Sequence, residues 1–472
     1  MKKNFQAAYL PIGVGTFHLE SAQKLFEASK DLIAGLAKDL SAGRAQSGAA
    51  GEQAERAVDC AFPDEMLLSL DKLDNFLDTI EPDFIILQNI TFANAAYTAE
   101  VMRRFAGTPV LLWTLREPAI DGGRLRLNSL TGAYSAANTL KRFSDKPVNY
   151  IFGSPDENNV KQTLRSALAA ARLRYDMRHL NLLAVGHTPE GFGFGRADDN
   201  EMMSVFGTKL LSIEARELID TAKSYSDSEI ADFLADAENR TVGLQNTPEK
   251  NRTDFARLYK AYKDYCITNN IGALASRCWP DFFTAFGTPV CLVLAMLNDL
   301  HIPAACEADT YGALSMYAAS ELTGSPCFFG DPVSMDEDEN TITFWHCGTA
   351  ACSLAREDTG AVIGEHCNRH IGPTCEFGCR ASDEATIFRI GKAPDGHFRF
   401  FIEEGRILDK PKQFLGTSLV IETRNSARDI VYRTVEDGWE PHYVVAYGAI
   451  GQSLAFLANY LGVRYPEMAS SQ

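Results

Sequence analysis

Two acidic residues and one histidine, far apart in the chain, are of the types that bind a divalent metal ion. Asp331 follows Glu307 by 24 positions, each ends an apolar stretch, and His442 lies downstream in GWEPHYVVAYG. Two carboxylates and one imidazole suit a hard or borderline cation such as Mn²⁺ and leave positions open for an oxygen-rich ligand. Structural zinc sites, in contrast, are closed by four ligands drawn mostly from Cys and His. The set therefore predicts a catalytic metal centre.

The local contexts of these residues suggest that they meet at the ends of strands. Glu307 in AACEADTYG ends a strand-like run before a helix, and Asp331 in CFFGDP is expected to have the same context. His346 in TFWHCG ends the next strand, and His442 follows a proline and begins another strand. A single polar residue at a strand end is usually a cap, but four in similar contexts favour a site at the carboxyl edge of a sheet.

A run of cysteines and histidines offers an alternative metal site. Its spacings, C-x₄-C and then C-x₇-C-x₃-C, match no common zinc pattern. We therefore expect reduced thiols around a pocket, with a zinc or iron-sulfur protein as the alternative. The run comprises His346, Cys347, Cys352, His366, Cys367, His370, Cys375 and Cys379.

The N-terminal segment PIGVGTFH has part of a dinucleotide-binding fingerprint. Gly13 and Gly15 follow a strand, but the third glycine is replaced by His18. The segment predicts a tight turn with polar substrate contacts, His18 among them, rather than a nicotinamide site.

Alternating apolar runs and amphipathic helices position these residues. The pattern recurs up to about residue 330, and strands separated by turns dominate after about 340, before the closing helix GAIGQSLAFLANYLGV. The predicted fold class is α/β, with two doubly wound parallel-sheet domains followed by a C-terminal β-rich, barrel-like domain. The predicted bounds are 1–174, 175–340, which carries the acidic ligands, and 341–472.

Composition narrows the function classes. The chain has 472 residues, 46% of them hydrophobic, and a net charge of −17. Nucleic acids and anionic membranes bind clustered basic residues, so neither is an expected partner. The N-terminus lacks a signal-peptide pattern, and the apolar segments are shorter than the roughly 20 residues of a membrane helix. We expect a cytoplasmic protein with reduced cysteines.

The segments CEADTYGALSMY, GDP, WHCGTA and GWEPHYVVAYGAIGQSLAFLANYLGV resemble the L-fucose isomerase and L-arabinose isomerase family. The specific part of the likeness covers about residues 275–465. The resemblance implies interconversion of an aldose and a ketose with Mn²⁺, or another divalent ion such as Mg²⁺ or Co²⁺, held by Glu307, Asp331 and His442. The aspartate is typical of the fucose type, whereas a further histidine, here His346, is typical of the arabinose type. It also implies a homo-oligomer, a hexamer or trimer.

The chemistry of such an isomerisation explains the residues. The hydrogen on C2 of an open-chain sugar is barely acidic until a Lewis acid polarises the neighbouring carbonyl. Two carboxylates can then move the proton through a cis-enediol, one as base and the other as acid. Glu307 and Asp331 are the predicted catalytic residues as well as metal ligands. His442 is expected to be mainly a ligand, and His346 to bind either the ion or a sugar hydroxyl.

Four further residues are candidates for binding the sugar. Arg116, Glu117 and Asn128 lie in the loop LREPAIDGGRLRLNSLTG, and Trp279 in SRCWPDFF could stack on a sugar face. A sugar-binding protein of the same fold that has lost activity is a second alternative to the isomerase.

Overall fold

The computed structural model describes residues 4–42 and 57–465. They form two compact units. Unit 1 holds the described residues up to Tyr175 together with Gln452–Gly462, and unit 2 holds Asp176–Gly451 and the described residues from Val463. The predicted three-domain bounds stay a prediction.

Unit 1 is built on a five-stranded parallel sheet with the strand order β2-β1-β3-β4-β5. Every residue of β3 is buried, as expected for a parallel strand covered on both faces. The strands are β1 (Phe5–Ile12), β2 (Val58–Ala61), β3 (Phe84–Asn89), β4 (Val110–Thr114) and β5 (Asn149–Phe152). The helices are α1 (Leu19–Ala42), α2 (Leu70–Leu77), α3 (Ala95–Arg104), α4 (Ser129–Phe143) and α5 (Asn158–Met177), with the closing helix Gly451–Leu461.

Unit 2 begins with a four-stranded parallel sheet in the order β7-β6-β8-β9. The strands are β6 (Asn181–Val185), β7 (Lys209–Ile213), β8 (Ala273–Ser276) and β9 (Ala304–Ala305). The helices are α6 (Asp199–Glu201), α7 (Ala215–Ser224), α8 (Asp227–Arg240), α9 (Glu249–Thr268), α10 (Cys291–Asp299) and α11 (Thr310–Thr323). Helix α10 is buried almost throughout, which explains its unbroken apolar sequence CLVLAML.

A closed barrel of six antiparallel strands completes unit 2, in the order β10-β11-β16-β15-β14-β17. Its strands are β10 (Phe328–Asp336), β11 (Thr341–His346), β14 (Ser382–Lys392), β15 (Phe398–Ile407), β16 (Thr417–Thr423) and β17 (Tyr443–Ala446). A small hairpin of β12 (Ile363–Gly364) and β13 (Thr374–Cys375) and helix α12 (Ala427–Glu436) accompany the barrel. The predicted fold class is confirmed.

The expectation that Asp331 ends a strand before a helix is wrong. Asp331 lies inside β10, opposite Trp345 of β11. The apolar run stops there because the following residues of β10 are largely exposed, not because the strand ends. The acidic run 335–340 completes β10 and forms the turn to β11. Asp331 therefore belongs to the barrel rather than to the edge of a parallel sheet.

Within the described ranges, no helix combines the length and the apolar character needed to cross a membrane.

Candidate functional site

Glu307 lies in a short connection between the parallel sheet and α11. It follows β9 by two residues, and both Glu307 and Ala308 have left-handed backbone, with φ of 59° and 53°. The amide of Ala308 donates to the carbonyl of Ser276 at 3.0 Å, which holds this bend against β8. Asp309 then caps α11 by accepting from the amide of Gly312 at 2.8 Å. The bend is thus fixed on both sides of the carboxylate.

The structure brings Glu307, Asp331, His346 and His442 together. The Nε2 atom of His442 lies 3.0 Å from Glu307 Oε2 and 3.5 Å from Asp331 Oδ1. Ligand atoms of Glu307, His346 and His442 all lie within 4.8 Å of one another. Atoms that share one ion at about 2.1 Å are separated by no more than about 4.2 Å, so this donor set is close to the size of a metal-binding site. Its oxygen and imidazole chemistry fits Mn²⁺ or a similar divalent ion.

A buried ion pair orients His442 from the other side. Its Nδ1 atom lies 2.9 Å from Asp309 Oδ2, so Nδ1 carries the proton and donates it to the carboxylate. Both oxygens of Asp309 also accept from Arg389, at 2.5 and 3.1 Å, and both side chains are almost fully buried. An imidazole held in this way points Nε2 at Glu307 and Asp331, as second partners do for metal-binding histidines.

The carboxylates also change the acid-base properties of the site. Burial alone would lower the pKa of His442, but Asp309 and Glu307 outweigh it and raise the pKa to about 9. Burial would raise the pKa of Asp309, but Arg389 and His442 hold it below its ordinary value. Burial raises the pKa of Asp331 despite the nearby histidines. The site therefore concentrates negative charge that favours a cation.

The four residues are next to a cavity of about 220 Å³ in unit 2. Glu307, Asp331 and His346 line it, and Trp279, which also lines it, donates from Nε1 to Glu307 Oε1 at 3.4 Å. His366, Asn368 and Arg369 also line the cavity, with the aromatic residues Phe192 and Trp345. A cavity with ionic groups and aromatic walls suits a small polar ligand with an apolar face.

Buried cysteine thiols lie next to the residues of this site. Cys306 and Cys347 are buried neighbours in sequence of Glu307 and His346, and the Cys347 thiol lies 3.3 Å from His346 Nδ1. All cysteines of the described chain are free, as expected for reduced thiols. The cysteines and histidines of the run from His346 to Cys379 do not form one cluster. Cys347 lies with Cys291 and His366, whereas the Cys375 thiol is hydrogen-bonded to the Cys352 thiol. The sequence did not predict that Cys291 and Cys306 join Cys347.

The remaining predicted contacts lie in unit 1, where the structure gives each a local role. Arg116 forms a bidentate ion pair with Glu157, at 2.7 and 3.0 Å. Glu117 accepts from backbone amides of residues 126–128, and Asn128 precedes α4 with a left-handed φ of 54°. His18 bonds to Ser21 at the start of α1. Sugar binding by these four residues stays a prediction.

Sequence reasoning missed three residues of the site. The position of Asp309 could have been recognised from the sequence, since an Asp just before a predicted helix is a typical N-cap. Arg389 is a lone charge within the apolar strand ATIFRI, a pattern that indicates a buried partner. Arg369 lies in the loop between β12 and β13 and has no comparable signal.

The fold, the site and comparison with known proteins define an aldose-ketose isomerase, as the resemblance implied. No protein-family model matches the chain. A sulfoquinovose isomerase of Clostridium sp. (strain MSTE9) is 56% identical over 457 residues, covering 97% of this chain and 98% of that protein. Sulfoquinovose isomerases of Priestia aryabhattai and Alkalicoccus urumqiensis are 33% and 34% identical, covering 98% and 94% of this chain and 98% and 95% of those proteins. The chain belongs to the family of these sulfoquinovose isomerases, whose names are not those of the fucose and arabinose enzymes.

Proposed function

We propose that this protein is a metal-dependent isomerase that converts sulfoquinovose, a six-carbon aldose with a sulfonate on C6, to its ketose. The observation that carries the proposal is the convergence of Glu307, Asp331 and His442 beside a cavity. Relatives that cover nearly the whole chain bear the name of this activity. The fucose and arabinose enzymes are then relatives in mechanism that act on other sugars.

Glu307, Asp331 and His442 would hold Mn²⁺, or Mg²⁺ or Co²⁺ in its place, and His346 is close enough to serve as a fourth ligand. When bound, the ion supplies Lewis-acid polarisation of the sugar carbonyl. The chain's own contribution is orientation, because Asp309 fixes the ring of His442 and the bend at Ala308 fixes Glu307.

The two carboxylates are proposed to carry the proton. In the forward direction one of them removes the proton from C2, and a proton is delivered to C1, while the oxygen on C1 gains a proton and the oxygen on C2 loses one. The intermediate is a cis-enediol. The proposal is supported by the approach of Glu307 and Asp331 to the same atom of His442, since a sugar beside that atom would meet both carboxylates.

The test is to incubate metal-stripped protein with sulfoquinovose and Mn²⁺, Mg²⁺ or Co²⁺ in heavy water and to follow the ketose by NMR. We expect ketose only with added metal, and deuterium at C1, since a carboxylate exchanges its proton with solvent. Undiminished turnover in metal-free protein would refute the metal role. Product without solvent deuterium would refute proton transfer through carboxylates, and the absence of ketose with all three ions would refute the activity.

We also propose, on the resemblance alone, a homo-oligomer of three or six chains, and we propose separately that the protein works in the cytoplasm. Light scattering coupled to size-exclusion chromatography tests the assembly, and a monomeric mass would contradict it. Fractionation of the source cells tests the location, and recovery of the protein outside the cytoplasmic fraction would contradict it.

A further inference from the structure

We infer that Arg369 binds the anionic group at the far end of the sugar and thereby selects a sulfonated over a neutral substrate. The inference rests on the proposed function and adds the residue that recognises the charged group. The cavity lining includes the carboxylates of Glu307 and Asp331, and a sulfonate placed beside them would be repelled. Recognition of an anion therefore needs a cation elsewhere on its wall.

Arg369 is the single arginine or lysine among the described residues that line the cavity. Within the part of the chain that the structure describes, none of its ion pairs involves Arg369, whereas nearby Arg277 pairs with Asp281 at 3.0 Å. A guanidinium without a carboxylate partner has its full set of donors available for an incoming anion. Its planar fork matches two oxygens of a sulfonate or phosphate group.

Two aromatic rings form cation–π contacts with the guanidinium of Arg369. Its Cζ atom lies 5.7 Å from the ring centre of Trp279 and 6.0 Å from that of Phe283. Such contacts favour the charged group and restrict its motion. The cation is thus held by aromatic rings rather than neutralised.

The contacts of Trp279 set an upper limit on the distance between Arg369 and Glu307. The Arg369 guanidinium lies over the indole ring, and the indole Nε1 donates to Glu307 at 3.4 Å. Including the indole's own half-width, the guanidinium carbon lies at most about 11 Å from the Glu307 carboxylate. An extended six-carbon chain spans about 6 Å and a polar contact at each end adds about 3 Å, so a sugar that reaches both groups is bent rather than fully extended. In such a bent arrangement C1 and C2 approach the carboxylates while the group on C6 meets Arg369, with the sugar beside Trp279.

The loop that carries Arg369 is fixed by a buried histidine. The carbonyl of His366 accepts from the amides of Arg369 and His370, at 3.1 and 2.8 Å, and its own amide donates to Ile371 at 3.0 Å. The ring of His366 packs edge-on against Phe283, with ring centres 5.0 Å apart. A tight turn anchored in this way presents Arg369 to the cavity before any ligand arrives, which reduces the entropy lost on binding.

Kinetic measurements with sugars that differ in the group on C6 test whether Arg369 selects an anionic substrate. The readout is kcat/KM for sulfoquinovose divided by kcat/KM for 6-deoxyglucose, which lacks the anion, with glucose 6-phosphate as a second anionic sugar. We expect Arg369→Gln to lower this ratio at least tenfold, mainly through KM, and Arg369→Lys to restore part of it. Arg428→Gln, a control on α12 that does not line the cavity, should leave the ratio unchanged. Equal loss with both anionic sugars would mean recognition of any tetrahedral oxyanion, and loss with sulfoquinovose alone would mean recognition of the sulfonate; both support the inference.

Measurements of sugar binding distinguish a failure of the anion site from a failure of the isomerase proposal. Calorimetry of sulfoquinovose with Mn²⁺-loaded protein, with and without Arg369→Gln, measures recognition whether or not turnover occurs. If the affinity falls at least tenfold and no ketose forms in the parent protein, the anion site stands and the isomerase proposal falls. If ketose forms but neither affinity nor the kinetic ratio depends on Arg369, the anion site is refuted and the isomerase stands.

Discussion

At the scale of single residues, the site depends on one imidazole held by carboxylates on both of its nitrogens. His442 meets Asp309 through Nδ1 and meets Glu307 and Asp331 through Nε2. The residue types of Glu307, Asp331, His346 and His442 led to the prediction that they converge, although the strand context expected for Asp331 was wrong. The buried pair behind them could not be predicted, because Arg389 lies 80 residues from Asp309 and only the packing of α11 against the barrel brings them together.

We expect Glu307→Gln to lower kcat by about a hundredfold or more, since it removes a carboxylate that is proposed both to hold the metal ion and to accept the proton. Ketose formation measures the loss of turnover, and elemental analysis of bound Mn²⁺ measures the loss of the metal. Glu337→Gln, at an exposed site of the turn before β11, is the matched control and should change neither. Full activity of the folded Glu307→Gln protein would exclude its catalytic role.

Asp309→Asn should destabilise the protein by about 3 kcal/mol, because it leaves the guanidinium of Arg389 buried without its counter-charge. Urea unfolding at neutral pH measures the change. The comparison is Asp395→Asn, which removes an ion pair with Arg464 in which both side chains are at least half exposed, and should have a much smaller effect because solvent screens the pair. Equal effects of the two substitutions would show that the buried pair contributes nothing beyond a surface contact.

At the scale of elements, the loop after β6 covers the site. Phe194 packs edge-on against His442, with ring centres 5.3 Å apart. The loop approaches closely at Gly195, where an added Cβ would lie 2.9 Å from the Cα of Asp309, whereas a Cβ at Gly193 would meet nothing within 4 Å. The absence of a side chain at Gly195 therefore lets the loop contact the residue that orients His442.

Gly195→Ala is expected to cost about 1–3 kcal/mol in stability through overpacking, and to lower kcat/KM as Asp309 or the loop shifts. Gly193→Ala in the same loop should have little effect on either. Thermal unfolding and sugar kinetics on the two variants provide the comparison. If Gly195→Ala behaves like Gly193→Ala, the close contact is not needed.

The apolar pattern predicted the elements well where a strand is buried on both faces, as in β3. It was misleading at β10, where burial ends halfway along a continuous strand. Hydrophobicity reports which side of a strand is covered, not where its backbone hydrogen bonds end. The closure of the barrel likewise depends on pairing of β10 with β17, more than 100 residues later, which no local pattern encodes.

At the scale of the whole molecule, the proposed ligands all belong to unit 2. A ligand that binds only the folded state stabilises it by about 2.7 kcal/mol at a hundred times its dissociation constant. Added Mn²⁺ should therefore raise the unfolding temperature and slow hydrogen exchange, first in peptides around residues 304–310 and 328–346. Glu307→Gln should reduce both responses. Protection that appears only in unit 1 would contradict the assigned site.

The left-handed bend at Glu307 and Ala308 lowers the stability of the folded chain. Each such non-glycine residue costs about 1–3 kcal/mol and persists only where the surrounding structure holds it in place. Backbone strain of this kind clusters at functional sites, where it fixes the direction of a side chain. Two consecutive left-handed residues at the carboxylate therefore indicate that a fixed position of Glu307 offsets the stability that the bend costs.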